Sequence, residues 1–306
     1  MKCINKWICL SLLIAVSCVS GCGKASAAIE QPYDVYATAA DFGLSSNGTA
    51  EAKSYFASNL CVSEDVAIGT DSTDSQVAEG AGTFNLETNT VVYAKNLYER
   101  LYPASTTKIL TAYIALKYCD DQDAMVTVSE NAVNQASDSS VCNLKAGDVI
   151  RLRDLLYGLM LRSGNDAAVA IAEYISGDVD SFAALMNQEA AAMGATRSHF
   201  VNPNGLPDEN HYTCVYDMYL IFSNAIKNDT FVSIIGTTSY DVTYTDASGE
   251  AVTHTWENTN QYLTGNATTP DGFQIVGGKT GTTGEAGYCL VLYSYNPSGQ
   301  PIISIV

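Results

Sequence analysis

Ser105 and Lys108 stand three residues apart in "LYPASTTKIL" (residues 101–110), behind a proline and at the head of an apolar run. Helical positions i and i+3 share a face, so this spacing brings a hydroxyl within hydrogen-bond reach of an amine. A serine hydroxyl attacks an acyl carbon only when a base takes its proton, and a lysine is such a base once its pKa is lowered. The same spacing fits an ordinary helix start, with serine capping backbone donors and lysine in solvent. Two features favour chemistry. The pair is the only SxxK in the chain, and the run Ile109, Leu110, Ala112, Ile114, Ala115 and Leu116 is apolar nearly all round, which predicts a buried central helix. Pro103 suits the first helical position, where a missing N–H costs nothing.

Two further constellations follow in chain order. Ser163-Gly164-Asn165 lies at a loop-to-helix junction in "LRSGNDAAVAIAEYI", and Lys279-Thr280-Gly281 lies on a predicted strand "IVGGKTG". SxN alone says little, since Ser45-Ser46-Asn47 and Ser294-Tyr295-Asn296 also fit it, whereas KTG occurs once. If the Lys279 and Lys108 amines approach to about 4 Å, their repulsion at an effective dielectric of 20 is about 4 kcal/mol, roughly three pKa units, enough to bring a lysine near neutrality.

Elements must hold these groups together. "VAEGAGTFNLETNTVVYAKN" reads as a β-hairpin, residues 104–235 carry helical periodicities such as "LRDLLYGLML", and "GFQIVGGKTG", "AGYCLVLYSY" and "PIISIV" read as strands. Strands at both ends of a helical middle predict an α/β (α+β) fold: an antiparallel sheet built from N- and C-terminal strands with flanking helices, and a helical subdomain inserted between them. "FVNPNGLPDEN" predicts a tight loop wall fixed by Asn202, Asn204 and Gly205. Gly277 and Gly278 are expected to let their strand approach substrate or the central helix closely.

"MKCINKWICLSLLIAVSCVSGC" places Lys2 and Lys6 before a short apolar stretch and predicts an export signal over residues 1–28. Two processing sites are open: a lipobox at Val19-Ser20-Gly21-Cys22, with a lipid on Cys22 attaching the chain to a membrane, and a signal-peptidase site at Ala25-Ser26-Ala27. Residues 29–76 are rich in Ser, Thr, Asp, Ala and Gly and are expected to be a linker or loosely packed arm before a domain over 77–306. Four of the nine cysteines fall in the signal; Cys61, Cys119, Cys142, Cys214 and Cys289 remain, without CxxC spacing, and read as mostly buried free thiols. A formal charge of −18 argues against nucleic acid as a partner. The sequence stops inside "PIISIV", so a continuation beyond Val306 is expected.

The order SxxK, SxN, KTG is that of serine penicillin-recognising enzymes. "YPASTTKILTAYIAL", "LRDLLYGLMLRSGNDAAVAIAEYI", "MGATRSHFVNPNGLPDENHYT" and "GGKTGTTGEAGYCLV" together resemble the D-alanyl-D-alanine carboxypeptidases, the low-molecular-mass penicillin-binding proteins, over about 77–306. The resemblance implies a β-lactamase/transpeptidase-like fold and a hydrolase that needs no cofactor or metal. Such an enzyme removes the terminal D-alanine of peptidoglycan stem pentapeptides through a Ser105 acyl-enzyme, outside the cytoplasm at the cell wall, with β-lactam antibiotics as covalent inhibitors. It also implies roles: Lys108 as general base, Ser163 relaying a proton, Asn165 holding the substrate amide, and Lys279 as a second cation with Thr280 and Gly281 on the substrate-binding strand. The backbone N–H groups of Ser105 and Thr282 would form the oxyanion hole. Thr282 stands where this family often has a larger residue, which leaves substrate preference open. An arginine that helps hold the substrate carboxylate, and a closing helix, would follow Val306. Other readings fit less well. A class A β-lactamase needs a deacylating glutamate in an ExxLN-like pattern, which "VNPNGLPDENHY" lacks, and His199, His211 and His254 lack zinc-ligand spacing. A non-catalytic penicillin-binding sensor would share every motif.

Overall fold

The computed structural model describes residue 57, residues 59–69 and residues 77–306. The export signal, Cys22 and most of the expected arm lie outside these residues. Residues 59–69, expected in the loose arm, are instead part of the compact body that runs from Asn59 to Val306. Cys61 is fully buried; its N–H donates to the Tyr219 hydroxyl at 2.9 Å and its carbonyl accepts from the Tyr216 hydroxyl at 2.8 Å. The Tyr98 hydroxyl donates to the Ser63 carbonyl at 2.6 Å, and Ile68 pairs with Ala94 as an isolated bridge. Composition alone made this stretch look unstructured, but tertiary hydrogen bonds from distant tyrosines hold it.

Strands β1 (Ala81–Asn85) and β2 (Thr90–Lys95) form the expected hairpin. With β7 (Gln274–Thr283), β8 (Gly287–Tyr295) and β9 (Pro301–Ile305) they make one antiparallel sheet in the order β2-β1-β9-β8-β7, so the two ends of the body meet at β1 and β9. The middle is not wholly helical. It carries a second antiparallel sheet in the order β3-β4-β5-β6, from β3 (Met125–Thr127), β4 (Val149–Arg151), β5 (Ser239–Thr245) and β6 (Ala251–Glu257). The β5–β6 ribbon buries Val242, Tyr244 and Trp256 and turns at Asp246, whose carboxylate accepts from the N–H groups of Ser248 and Glu250.

Helix α1 (Lys108–Tyr118) is the predicted central helix: Ile109, Leu110, Ala112, Ile114 and Ala115 are all buried. After α2 (Glu130–Val133) and α3 (Leu152–Tyr157) come α4 (Asn165–Ser176) and α5 (Val179–Ala192), then α6 (Val215–Ala225) and α7 (Asp229–Ile235). Helices α4, α5, α6 and α7 surround α1, which explains why it needs no polar face. A short α8 (Gln261–Thr264) leads into β7. The glycines of β7 divide differently from expectation. A Cβ on Gly277 would lie 2.4 Å from the Ile235 carbonyl at the end of α7, and one on Gly278 would lie 2.1 Å from the Val291 carbonyl of β8. The close approach to the Ser105 turn belongs to Gly281, whose Cβ would stand 3.0 Å from Ser105 N and 3.1 Å from Ala104 Cβ.

Candidate active site

Ser105 sits in a 3₁₀ turn, Ala104–Thr107, and the α-helix proper starts at Lys108. The tighter turn matters because residues i and i+3 eclipse in a 3₁₀ helix, placing Lys108 Nζ 2.9 Å from Ser105 Oγ. Pro103 takes the cap position just outside this turn, its carbonyl accepting from Thr106 N–H at 3.2 Å and from the Thr106 hydroxyl at 2.6 Å. Ala104 has φ 47°, a left-handed conformation that costs a non-glycine residue about 1 kcal/mol or more. The surrounding wall enforces it: Gly205, at φ 88°, is so close that a Cβ there would fall 1.8 Å from the Ala104 carbonyl oxygen. The "VNPNG" loop therefore presses on the residue before Ser105.

That loop also holds Lys108. Lys108 is fully buried, and its Nζ donates to Asn165 Oδ1 at 2.8 Å and to the Asn204 carbonyl at 2.6 Å. A neutral amine has two N–H bonds and one lone pair. Both carbonyl oxygens can only accept, so they take the two N–H bonds and the lone pair is left for the Ser105 O–H. Burial, then the Lys279 charge, hold the Lys108 pKa well below its usual value, while Cys142 and Asp166 pull weakly the other way. The expected loop wall is present: Asn202 Oδ1 accepts from Gly205 N–H at 2.7 Å, Asn204 Oδ1 from Leu206 N–H at 3.1 Å, and the Pro203 carbonyl accepts the Thr111 hydroxyl at 2.6 Å. The contact of the Asn204 carbonyl with Lys108 has no sequence signal, because any residue carries that group.

The second wall descends from α3 through a π-helical turn, Gly158–Arg162, to Ser163 at φ 62°, ψ 33°. Such turns widen the backbone and are frequent at functional sites. Ser163 is 5% exposed, and Lys279 Nζ donates to its Oγ at 3.0 Å. Lys279 is itself buried, also donates to the Thr280 carbonyl at 2.7 Å, and burial lowers its pKa to about 7. Asn165, 4% exposed, spends its Oδ1 on the Lys108 amine. Asp166, which the sequence analysis passed over, is the anchor of this wall. Its carboxylate is 1% exposed and accepts from the N–H groups of Cys142, Leu144 and Ala167, fixing the segment that brings Ser140 to the cleft. The thiol of Cys142 fills the space left by two glycines: a Cβ on Gly164 or Gly158 would lie 2.3 Å or 2.6 Å from its sulfur. All five cysteines among the described residues are free, as expected.

These walls enclose a cleft of about 440 Å3 bordered by Ser105, Ser140, Ser163, Thr280, Gly281 and Thr282, with Thr259 to Tyr262 on the facing rim. Of the sequence-predicted residues, five line the cleft and the other three, Lys108, Asn165 and Lys279, are buried behind it. Along β7, Lys279 and Gly281 face the Ser105 turn, while Thr280 and Thr282 alternate with them and lie opposite Leu290 and Tyr288, their register partners on β8; Gly281, with no side chain, still borders the cleft. No described helix is long and apolar enough to cross a membrane.

Comparison with known proteins agrees with this geometry. The family model described as D-alanyl-D-alanine carboxypeptidase, peptidase S11, matches residues 69–306. The chain is 35% identical over 70% of its length to the D-alanyl-D-alanine carboxypeptidase DacF of Bacillus subtilis, and 35% identical over 75% to the D-alanyl-D-alanine carboxypeptidase of Streptomyces sp. K15. The matches span 53% of the former and 80% of the latter, so the chain covers about half the length of one relative and most of the other. The crystal structure of the Streptomyces K15 DD-transpeptidase superposes with a TM-score of 0.69 at 34% identity, covering 75% of this chain and 88% of that one. A penicillin-binding protein homolog from Mycobacterium tuberculosis superposes with a TM-score of 0.65 at 28% identity, over 75% of this chain and 82% of that one. With a serine and lysine joined at 2.9 Å, a second lysine on the SxN serine and a family match over most of its length, the chain belongs to the D-alanyl-D-alanine carboxypeptidase family.

Proposed function

We propose that this chain is a penicillin-sensitive serine carboxypeptidase that removes the terminal D-alanine from peptidoglycan stem pentapeptides. The observation that carries this reading is the arrangement of the Lys108 amine, held by two carbonyl oxygens with its third partner the Ser105 hydroxyl. Ser105 Oγ attacks the carbonyl of the D-Ala-D-Ala bond as its proton passes to Lys108 Nζ, giving a tetrahedral oxyanion. Backbone N–H groups of Ser105 and Thr282 are assigned to that oxyanion. The C–N bond then breaks as the departing amine takes a proton by way of Ser163, whose hydroxyl is bonded to Lys279. D-alanine leaves an ester on Ser105, and water, activated by the again neutral Lys108, hydrolyses it.

Export by the leader within residues 1–28, followed either by cleavage after Ala27 and release or by attachment through a lipid on Cys22, would place this chemistry at the cell wall on the outer side of the cytoplasmic membrane. The test is release of D-alanine from a diacetyl-Lys-D-Ala-D-Ala peptide alongside labelling by a fluorescent penicillin. Wild-type protein is expected to do both and Ser105→Ala neither, while keeping its fold. Label without release would favour a penicillin-binding sensor, and a full penicillin adduct on the Ser105→Ala protein would remove Ser105 from its role. A second reading, resolution of the same acyl-enzyme by an amine, is favoured by the likeness to a structure named a DD-transpeptidase. Product analysis with an added acceptor amine separates the two.

A further inference from the structure

Thr259 lies between two buried asparagines, Asn258 and Asn260, and is itself exposed on the rim of the cleft. The loop is pinned on every side. Asn258 N–H donates to the Thr238 carbonyl at 2.8 Å, Asn258 Nδ2 donates to the Thr237 carbonyl at 2.8 Å, and Asn258 Oδ1 accepts from Asn260 N–H at 2.9 Å. Thr259 N–H donates to the Leu161 carbonyl, in the turn that leads to Ser163, at 3.2 Å. Its hydroxyl lies 2.6 Å from that of Thr280, on the strand that carries Lys279. Thr259 thus ties the SxN wall to the KTG wall from a position neither motif contains.

Two hydroxyls at this distance share one proton, which leaves the pair one O–H for an outside acceptor. The Thr282 hydroxyl is already spent on the Gly281 carbonyl at 2.8 Å. None of the described residues lining the cleft is charged, and Lys279 stands behind the rim, bonded to Ser163 Oγ and the Thr280 carbonyl. A second, independent feature points to a ligand. Asn260 lines the cleft at 1% exposure, its Oδ1 is fixed by the Tyr262 N–H at 3.1 Å, and its Nδ2 has no hydrogen-bond partner among the described residues. The Tyr262 donor forbids turning the amide over, so this wall carries a donor that no described residue uses.

We propose that Thr259 is a positioning residue: it donates to Thr280 Oγ1 and so turns the Thr280 O–H toward the terminal carboxylate of the bound peptide or the equivalent carboxylate of a β-lactam. A hydroxyl that both accepts and donates is the stronger donor, and an oriented donor in front of a buried cation suits an anion. The inference rests on the carboxypeptidase reading for its natural substrate, but its test does not. Acylation of Ser105 is followed by intact mass for benzylpenicillin and for its methyl ester, which lacks the carboxylate. The full chain is compared with Thr259→Val, which keeps the shape and loses the hydroxyl, and with Thr259→Ser, which restores it. The ratio of the two rates cancels any difference in folded fraction, because both come from one preparation. The acid-over-ester ratio is expected to fall about tenfold in Thr259→Val and to return in Thr259→Ser. A ratio within twofold of wild type in Thr259→Val, or a Thr259→Ser protein as impaired as Thr259→Val, would overturn the proposal. Wild-type protein that is acylated but releases no D-alanine would overturn the carboxypeptidase reading instead, with the same ratios still deciding the role of Thr259.

Discussion

His211 lies behind the nucleophile turn at 1% exposure, edge-on to Phe200. Val201 N–H donates to its Nδ1 at 3.1 Å, so in the neutral ring Nε2 carries the proton and donates to Thr107 Oγ1 at 2.9 Å. Thr107 is the neighbour of Lys108, and Val201 opens the loop whose Asn204 carbonyl holds the Lys108 amine. Protonating His211 would put an N–H where Val201 already points one, and burial accordingly lowers the pKa from 6.5 to about 4, against a small opposing pull from Asp208. The folded pKa lies below the unfolded one, so between these values the unfolded chain binds more protons and stability falls as the pH falls. A shift of about 2.5 units is worth about 3 kcal/mol, present at pH 7 and lost by about pH 4. A loss of that size is a large fraction of a typical net stability of ~5–15 kcal/mol. His211→Gln can accept from Val201 and donate to Thr107 but cannot titrate. Urea unfolding of both proteins from pH 7.5 to 4 is the assay. The expected result is a less stable variant at pH 7 whose deficit shrinks as the pH falls, since only the wild type loses this contribution. A constant difference across the range would refute the reasoning.

Two further outcomes test the geometry around Lys108. Lys108→Arg keeps a charge but cannot supply a neutral amine near pH 7, so stopped-flow acylation by a chromogenic β-lactam should slow by about 10²-fold or more; a wild-type rate would leave Lys108 a purely structural role. Gly205 and Gly249 share positive φ values of 88° and 90°, but no described residue lies within 4 Å of a Cβ at Gly249. Gly249→Ala should therefore cost about 1 kcal/mol in urea melts and leave penicillin labelling intact, whereas Gly205→Ala should cost more than about 4 kcal/mol or abolish labelling. Equal costs would mean that the loop does not press on Ala104.

The α/β architecture was legible because period-2 runs stand at both ends and the apolar run after Lys108 has no polar face, which only a helix packed on all sides tolerates. The β5–β6 ribbon went unassigned although its inward residues Val242 and Tyr244 alternate along the strand, and β3 and β4, three residues each, are too short to show a period. Residues 59–69 read as a linker because their anchors, Tyr98, Tyr216 and Tyr219, lie far away in the chain.

By itself the sequence determined which groups could do chemistry: one SxxK, one KTG and an SxN between them, side chains whose types and order are local facts. What it could not contain is how the Lys108 pKa is lowered and its amine held. That depends on full burial of Lys108, on two carbonyl oxygens from segments 57 and 96 residues away, and on a second buried lysine from β7, all of which exist only when the chain is folded. Backbone carbonyls and a left-handed Ala104 held against Gly205 leave no mark in residue types. The tertiary structure alone decided them, because hydrogen-bond geometry and desolvation belong to the packed state and not to any one residue.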